Sequence, residues 1–463
     1  LGDVYKRQQC YIVVSEIAKN KTGKKKIVVA SILAALTMTA NIVTVEGAIP
    51  EGTRTDHLGL AIGTSSNSKS NQSVAIGYAS SAEAPGANPE NPATAVGAGA
   101  NANGAGTVAL GLSANATGTN AVALGGGSNG GTNKTEATAA NTTAIGFNAK
   151  ASKSGAAAIG SGAKASGSDS ISFGTDTVAD SEKAIAIGAG SKATNIGATA
   201  LGRSSAATAA SATAVGSLAS ATGTTATAVG IEASASGAES LAIGKTASAT
   251  SGRALAVGTN AKATGASSVA VGSGAGNSGP LGFASSINSL GSVVNSLKTI
   301  NYATTAEGDY AVALGVYANA KNSGVAVGQN ALAATGGVAI GKGVLEDTGN
   351  NLAGGVAIGQ DSASTGAYSL AMGRHAFASG STSMAMGYEA SANGNFAVAM
   401  GRNVTATGTS TAIGRHATAS NGGLAIGSQE NDVSDDRTTA SAKGAVAIGK
   451  NTKATSEDAV AIG

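Results

Sequence analysis

Large hydrophobic side chains are scarce in this sequence. It has no tryptophan, aromatic residues make up 3% of its 463 residues, and charged residues make up 12%. A domain of this length normally buries a broad core of large apolar side chains. The composition excludes such a core, and it leaves either a disordered low-complexity chain or a thin, repetitive core of small side chains.

Cysteine is almost absent, and the charges are unevenly placed. The single cysteine is Cys10, so the rest of the chain has neither disulfides nor thiolate metal ligands. Seven basic and three acidic residues precede position 49, whereas the remainder carries 22 basic and 23 acidic residues. Because the basic excess is confined to positions 1–48, we expect no nucleic-acid partner for the rest.

The segment 1–48 has the pattern of a secretory signal. Residues 19–26 (KNKTGKKK) form a basic run, and the apolar stretch 27–40 (IVVASILAALTMTA) follows it, ending in small and polar residues as far as Ala48. The apolar stretch is too short for a transmembrane helix. The alternative, a buried core helix, would need downstream helices as packing partners. We therefore predict that the chain is exported.

A short motif recurs from Leu58 to the end of the chain. It consists of an apolar residue or threonine, then alanine, then an aliphatic residue, then glycine. Of the 25 intervals between successive repeat glycines, 16 have the same 14-residue length, so the chain is an internal repeat. The repeat glycines are residues 63, 77, 97, 111, 125, 146, 160, 174, 188, 202, 216, 230, 244, 258, 272, 315, 328, 341, 359, 373, 387, 401, 414, 427, 449 and 463.

Each repeat predicts two short β-strands. In residues 244–258 (GKTASATSGRALAVG), two segments alternate with period two, and Gly252 separates them. Glycines would supply the positive φ that closes each turn. We predict that each repeat is one circuit of a solenoid, and that successive circuits stack through parallel strands.

Two positions of the repeat have nearly fixed character. The residue before the repeat glycine is apolar in all 26 copies, with Phe173 as the one aromatic, and we expect it to face the core of the coil. The residue before that is alanine in 25 copies, with Ser172 as the exception. We expect this alanine row to lie on the outside, where a second chain packs against it, although composition alone could also produce such a row.

The repeats resemble a known family. Residues 73–84 (SVAIGYASSAEA), 240–252 (SLAIGKTASATSG) and 268–276 (SVAVGSGAG) are similar to the head repeats of trimeric autotransporter adhesins of the YadA type. The resemblance extends over nearly all of residues 58–463. Residues 10–19 (CYIVVSEIAK) also resemble the extended signal region of large autotransporters.

The resemblance implies both a fold and a function. The fold would be all-β, a left-handed parallel β-roll (solenoid) of 14-residue repeats that assembles as a homotrimer. The function would be that of a virulence-associated adhesin head, exported by type V secretion to the cell surface and outer membrane of a diderm bacterium. Its partners would be host extracellular matrix proteins or cell-surface receptors.

We divide the chain into four segments. Residues 1–48 are an extended signal peptide, in which 1–8 are set aside as a candidate non-native start because residue 1 is not methionine. Residues 49–272 are the first β-roll segment and 312–463 the second. The insert 273–311 has apolar residues at helical spacing, which predict a short amphipathic helix. These residues are Ile287, Leu290, Val293, Val294, Leu297 and Ile300.

The end of the sequence also differs from a whole family member. It stops in mid-repeat at Gly463, so we expect a truncated chain whose outer-membrane anchor is missing from this fragment. Polar or proline-containing interruptions at 78–92, 126–142, 343–355 and 428–444 are candidate contact loops, although simple length variation also accounts for them.

No residue pattern predicts an enzyme. The three histidines, His57, His375 and His416, are interpreted as exposed turn residues, and we predict no catalytic, cofactor-binding or metal-binding residues. The ligand-binding residues are not identified.

Three other classes of repeat protein are compatible with parts of the pattern. A hexapeptide-repeat acyltransferase has the wrong period, because 14 is not a multiple of six. An ice-binding solenoid needs a fixed threonine column, whereas threonine is interpreted as changing columns here, at Thr94, Thr143, Thr199, Thr213 and Thr227. The main alternative is a structural spacer rod that presents a distal binding domain away from the cell.

Overall fold

The computed structural model describes residues 59–84, 91–127, 132–274, 303–346, 354–428 and 437–463. The chain forms two compact units, residues 1–141 and 142–463. Both units consist of β-strands joined by turns throughout their described residues. The predicted all-β fold is confirmed.

Both units repeat the same coil. A three-residue strand ends immediately before the repeat glycine, and a shorter strand, usually of two residues, begins four residues after it in a regular coil. Within each unit, we call the sheet formed by the first kind of strand sheet A and the sheet formed by the second kind sheet B.

In the first unit, the strands of sheet A are Leu60–Ile62, Val74–Ile76, Thr94–Val96, Val108–Leu110 and Val122–Leu124. Those of sheet B are Asn67–Ser68, Ser81–Glu83, Asn101–Asn103, Asn115–Ala116 and Glu136–Ala137.

In the second unit, the strands of sheet A are Thr143–Ile145, Ala157–Ile159, Ile171–Phe173, Ile185–Ile187, Thr199–Leu201, Thr213–Val215, Thr227–Val229, Leu241–Ile243, Leu255–Val257, Val269–Val271, Val312–Leu314, Val325–Val327, Val338–Ile340, Val356–Ile358, Leu370–Met372, Met384–Met386, Val398–Met400, Thr411–Ile413, Leu424–Ile426, Val446–Ile448 and Val460–Ile462. Those of sheet B are Lys150–Ala151, Lys164–Ala165, Val178–Ala179, Lys192–Ala193, Ala206–Ala207, Ser220–Ala221, Ser234–Ala235, Ser248–Ala249, Lys262–Ala263, Thr305–Ala306, Asn319–Ala320, Leu332–Ala333, Leu345–Glu346, Ala363–Ser364, Phe377–Ala378, Ser391–Ala392, Thr405–Ala406, Thr418–Ala419, Thr439–Ala440 and Lys453–Ala454.

Successive coils stack in register through parallel strands. In sheet A, Ala242 pairs with Ala256, and in sheet B, Ala249 pairs with Ala263, each one repeat further along the chain. The turns are bonded in the same way, since the Arg253 amide donates to the Ala238 carbonyl at 2.8 Å. These pairings confirm the predicted parallel solenoid.

The stack of the second unit continues on both sides of residues 275–302. Lys262 of sheet B pairs with Thr305, and Val269 of sheet A pairs with Val312. Extra chain length is therefore inserted between two coils that are direct hydrogen-bonded neighbours. The amphipathic helix predicted within this insert lies outside the described residues.

Some coils are one residue shorter than the regular repeat, and the missing residue comes from the turn between sheet B and sheet A. In the coil from Gly315 to Gly328, both strands keep their length, and Val312 still pairs with Val325. This turn tolerates a change of length because the strands on either side of it fix the register.

The repeat glycine occupies a backbone position that other residues rarely adopt. Gly244 has φ of +130°, and a β-carbon placed on it would lie 2.5 Å from the carbonyl oxygen of Gly258 in the next coil. Both the backbone conformation and the close approach of neighbouring coils therefore require glycine here. The same contact recurs along the column of repeat glycines, as at Gly202 and Gly216.

The core of each coil is made of small side chains. In the coil around Gly244, the inward residues are Ser240, Ala242, Ala247 and Ala249, and each is at most 1% exposed. Among the described residues, the largest side chains that are almost completely buried are valines, such as Val344. This core accounts for the low content of aromatic and other large apolar residues.

The predicted orientation of the sheet A strands was wrong. The alanine two positions before the repeat glycine points into the coil, and the aliphatic residues on either side of it point outward, as Leu241 and Ile243 do beside Ala242. The reason is space, because the interior of so narrow a coil is already filled by methyl and hydroxymethyl groups. The recurrent small size of this position reflects packing within the chain rather than contact with another chain.

Many hydroxyl groups inside the coils bond to the turns beside them. The Ser240 hydroxyl donates to the Gly237 carbonyl at 2.7 Å, and Ser170 and Ser268 bond in the same way three residues back. Where serine replaces the inward alanine, at Ser172, its hydroxyl bonds to that of Thr177 at 2.7 Å. The buried polar atoms of these serines are therefore satisfied without widening the coil.

Candidate assembly and binding surfaces

The outer face of sheet A is an apolar strip. Each coil contributes two outward residues, most of them aliphatic, and these side chains stack directly above one another. They are only partly covered within one chain, with Ile187 and Ile243 each 38% exposed and Phe173 50% exposed. Monomeric proteins rarely expose a contiguous apolar surface of this kind, so the strip has the properties of an assembly surface.

Threonine does form a column within this strip. Thr199, Thr213 and Thr227 are direct partners in the parallel register, so the interpretation that threonine changes columns was wrong. Each of these threonines shares its strand with an outward leucine or valine, as Thr213 does with Val215. The rows therefore alternate hydroxyl and aliphatic groups rather than repeating threonine at both outward positions.

The outer face of sheet B is polar. Serine, threonine, asparagine and lysine occupy most of its outward positions, and residues that directly follow the sheet B strands form a ladder of hydroxyl groups: Thr194, Thr208, Thr222, Ser236, Thr250 and Thr264. Ion pairs also link neighbouring coils on this face, for example Lys164 with Asp180 at 3.1 Å and Lys69 with Glu83 at 2.9 Å. The two faces of each coil thus differ sharply in polarity.

Arginine and tyrosine meet at the turn that follows the repeat glycine in three consecutive coils. We call Arg374, Tyr388 and Arg402 the arginine–tyrosine column. The guanidinium carbons of Arg374 and Arg402 lie 5.8 Å and 5.7 Å from the centre of the Tyr388 ring, within the range of cation–π attraction. The His375 ring meets the Tyr388 ring edge-on at 6.3 Å.

The column also changes the acidity of its tyrosine. A hydrogen bond with the Glu389 side chain and the negative charge of that carboxylate raise the pKa of Tyr388. The two arginines act in the opposite direction but are the weaker influence. Sequence reasoning missed this column, although its signal was present as arginine or tyrosine directly after glycines 373, 387 and 401.

Comparison with known protein families gives a match over more than half of the chain. The model of the YadA head domain repeat (2 copies) matches twelve segments: residues 58–80, 92–114, 102–128, 137–163, 165–191, 193–219, 221–247, 249–275, 302–318, 353–376, 378–403 and 440–463. The chain belongs to the YadA head family. The predicted resemblance to the heads of YadA-like trimeric autotransporter adhesins is therefore confirmed. Among curated proteins, none matches the chain.

The structure describes two of the three histidines, and it agrees with their predicted place in the turn but not with the predicted exposure of His416. Both follow an arginine at the same turn, with φ of 56° at His375 and 60° at His416, as the sequence pattern indicated. His416 is only 7% exposed, however, so its interpretation as a solvent-exposed residue was wrong. His57 lies outside the described residues.

The candidate contact loops are described only in part, because the stretches 85–90, 128–131, 347–353 and 429–436 lie outside the described residues. Some of their described residues belong to the coils, as Glu136–Ala137 of sheet B does. The predictions therefore stay open for these segments.

Metal clusters and membrane-spanning helices are both absent from the described part of the YadA-type head. In these residues, no group of three or more histidine, cysteine, aspartate or glutamate side chains is arranged to hold a metal ion. The same residues contain no helix long and apolar enough to cross a membrane.

Proposed function

We propose that this chain is the head of a bacterial surface adhesin that attaches the cell to host cells or to extracellular matrix proteins. Its membership of the YadA head family is the observation that carries this proposal. The polar face of sheet B and the adjoining turns would contact the ligand. We assign no enzymatic role, in keeping with the non-enzymatic character of the family.

The head would act as a homotrimer. This proposal is supported by the apolar outer face of sheet A, which recurs from coil to coil. A matching apolar face of another chain would remove these side chains from water. In a homotrimer, identical aliphatic strips would meet around a shared axis, and the polar face of each sheet B would remain in solvent.

The chain would reach the cell surface by export. Residues 1–48 have the features of an extended signal peptide, and type V secretion is the route that the family implies. The location that the family implies is the cell surface and outer membrane of a diderm bacterium.

Attachment can be tested with the purified full chain. We expect it to bind at least one of a panel of immobilised matrix proteins, or cultured host cells, in a saturable manner. The spacer function would be favoured instead if the chain bound nothing on this panel while a longer native protein containing it did bind.

A further inference from the structure

The arginine–tyrosine column is a local concentration of basic groups on the surface of the second unit. Arg374, Tyr388 and Arg402 are all exposed, and they occupy equivalent turns of neighbouring coils. Arg415 takes the same position in the next coil along. Four successive turns on one side of the solenoid therefore carry arginine, tyrosine, arginine and arginine.

Several basic residues on the surface form ion pairs with carboxylates, whereas the arginines of this column lie against a tyrosine ring. Lys69 pairs with the Glu83 carboxylate at 2.9 Å, and Lys443 pairs with that of Glu457 at 3.3 Å. Among the described residues, neither Arg374 nor Arg402 forms an ion pair, and each guanidinium lies near the ring of Tyr388. Cation–π contact orients a guanidinium without using up its hydrogen-bond donors.

Few acidic residues lie near the column, so its net charge is positive. Between residues 354 and 428, the carboxylates are Asp361 and Glu389, and each lies two positions after a repeat glycine, not directly after it as the column residues do. Glu389 directly follows Tyr388, and its carboxylate raises the pKa of that tyrosine. The column itself contains no acidic residue.

The spacing of the column suits a linear ligand. Neighbouring parallel strands lie about 4.8 Å apart, so Arg374 and Arg402, two coils apart, lie roughly 10 Å apart along the stack. Guanidinium groups bind sulfate and carboxylate oxygens through paired hydrogen bonds. A ligand that carries such groups at intervals along an extended chain could contact successive turns at once.

We propose that the arginine–tyrosine column binds an anionic polysaccharide, with Arg374 and Arg402 holding its sulfate or carboxylate groups and Tyr388 fixing the two guanidiniums. This inference rests on the proposed adhesin function and names the chemical class of one of its ligands. A nucleic acid fits less well, because binding a phosphate backbone requires a broad basic surface, and the chain beyond position 48 has no net positive charge.

The test measures binding of the full chain to immobilised heparin, with unsulfated hyaluronan and neutral dextran as comparison ligands. The variant Arg374→Gln/Arg402→Gln is compared with Arg203→Gln. Arg203 is the matched control because it occupies the same turn position, after Gly202, but has Ala189 and Ser217 as its column neighbours. Thermal unfolding checks that the variants remain folded.

We expect the double variant to bind heparin at least tenfold more weakly, and Arg203→Gln to bind as the unchanged chain does. Hyaluronan binding that falls in parallel would assign the site to carboxylates as well as sulfates. Equal heparin binding by all three proteins would overturn the proposal. So would equal competition by neutral dextran, or stronger binding to duplex DNA or to anionic lipid vesicles than to heparin.

Cell attachment, measured on the same proteins, separates this inference from the proposed function. If the double variant loses the heparin binding of the unchanged chain, and the unchanged chain attaches to no cell, the polysaccharide site is supported and the adhesin function is contradicted. If the unchanged chain attaches to cells, and the double variant binds heparin as the unchanged chain does, the adhesin function is supported and the polysaccharide site is contradicted.

Discussion

At the scale of single residues, size decides where each side chain lies. Alanine, serine and threonine fill the coils because the interior is too narrow for anything much larger, and the repeat glycines allow neighbouring coils to approach closely at that turn. Most leucine, isoleucine and valine side chains of the sheet A strands point outward instead, which reverses the usual relation between hydrophobicity and burial.

The glycine column gives a prediction about stability. Gly244→Ala should lower the free energy of unfolding by roughly 1–3 kcal/mol, because the new β-carbon would be held at a strained φ and pressed against the Gly258 carbonyl. Denaturant titration of the full chain measures the change.

Gly252 provides the matched control in the same coil. A β-carbon on Gly252 would have its nearest neighbour, the Ala238 carbonyl oxygen, at 3.8 Å, and its φ is outside the positive range. Gly252→Ala should therefore be neutral or add about 0.4–1 kcal/mol through a less flexible unfolded chain. A similar loss for both variants would count against the column as the cause.

At the scale of the element, the coil is the unit of construction. Both sheets keep their register through the shortened coils and across the insert at 275–302, so turns absorb length changes and strands do not. A change of one whole repeat should therefore be tolerated, and a change of half a repeat should not.

Deletion of residues 217–230 should test this directly. That segment is one circuit, and its removal brings two equivalent turns together, so β-sheet content and the unfolding temperature should change little. Deletion of residues 224–230 should lower the unfolding temperature clearly, because it places sheet A residues opposite sheet B. Circular dichroism and limited proteolysis measure both, and equal behaviour of the two variants would contradict the coil as the unit.

Periodicity predicted the strands, the turns and the parallel stack, because a fixed repeat interval admits few other arrangements. It could not predict which face of a strand points inward. Alternation places Ala242 and Ile243 on opposite faces, but only the width of the coil selects between them, and that width is a property of the folded chain. Likewise, the contact of Arg374 and Arg402 with Tyr388 depends on stacking that single repeats do not reveal.

At the scale of the whole molecule, the apolar face of sheet A should make stability depend on assembly. Partly exposed aliphatic side chains are unfavourable in a single chain. Their burial against the same strip of another chain would stabilise the folded assembly. Association and folding should therefore be linked by mass action.

The linkage predicts an unfolding temperature that rises with protein concentration. Val229→Asp/Ile243→Asp, on the outer face of sheet A, should weaken or abolish that dependence and yield smaller particles in sedimentation. Ser236→Asp/Thr250→Asp, on the sheet B side of neighbouring coils, is the matched control and should behave as the unchanged chain does. Unfolding that is independent of concentration, with sedimentation as a single chain, would contradict the assembly surface.

The near identity of successive coils has a further consequence for how chains find one another. Two strips displaced lengthwise by one repeat would still match almost everywhere, so sliding would be opposed chiefly by lost contacts at the ends. Irregular turns, such as the shortened one before Gly328, break this translational ambiguity. Such turns would fix the lengthwise register in which neighbouring chains align side by side during assembly.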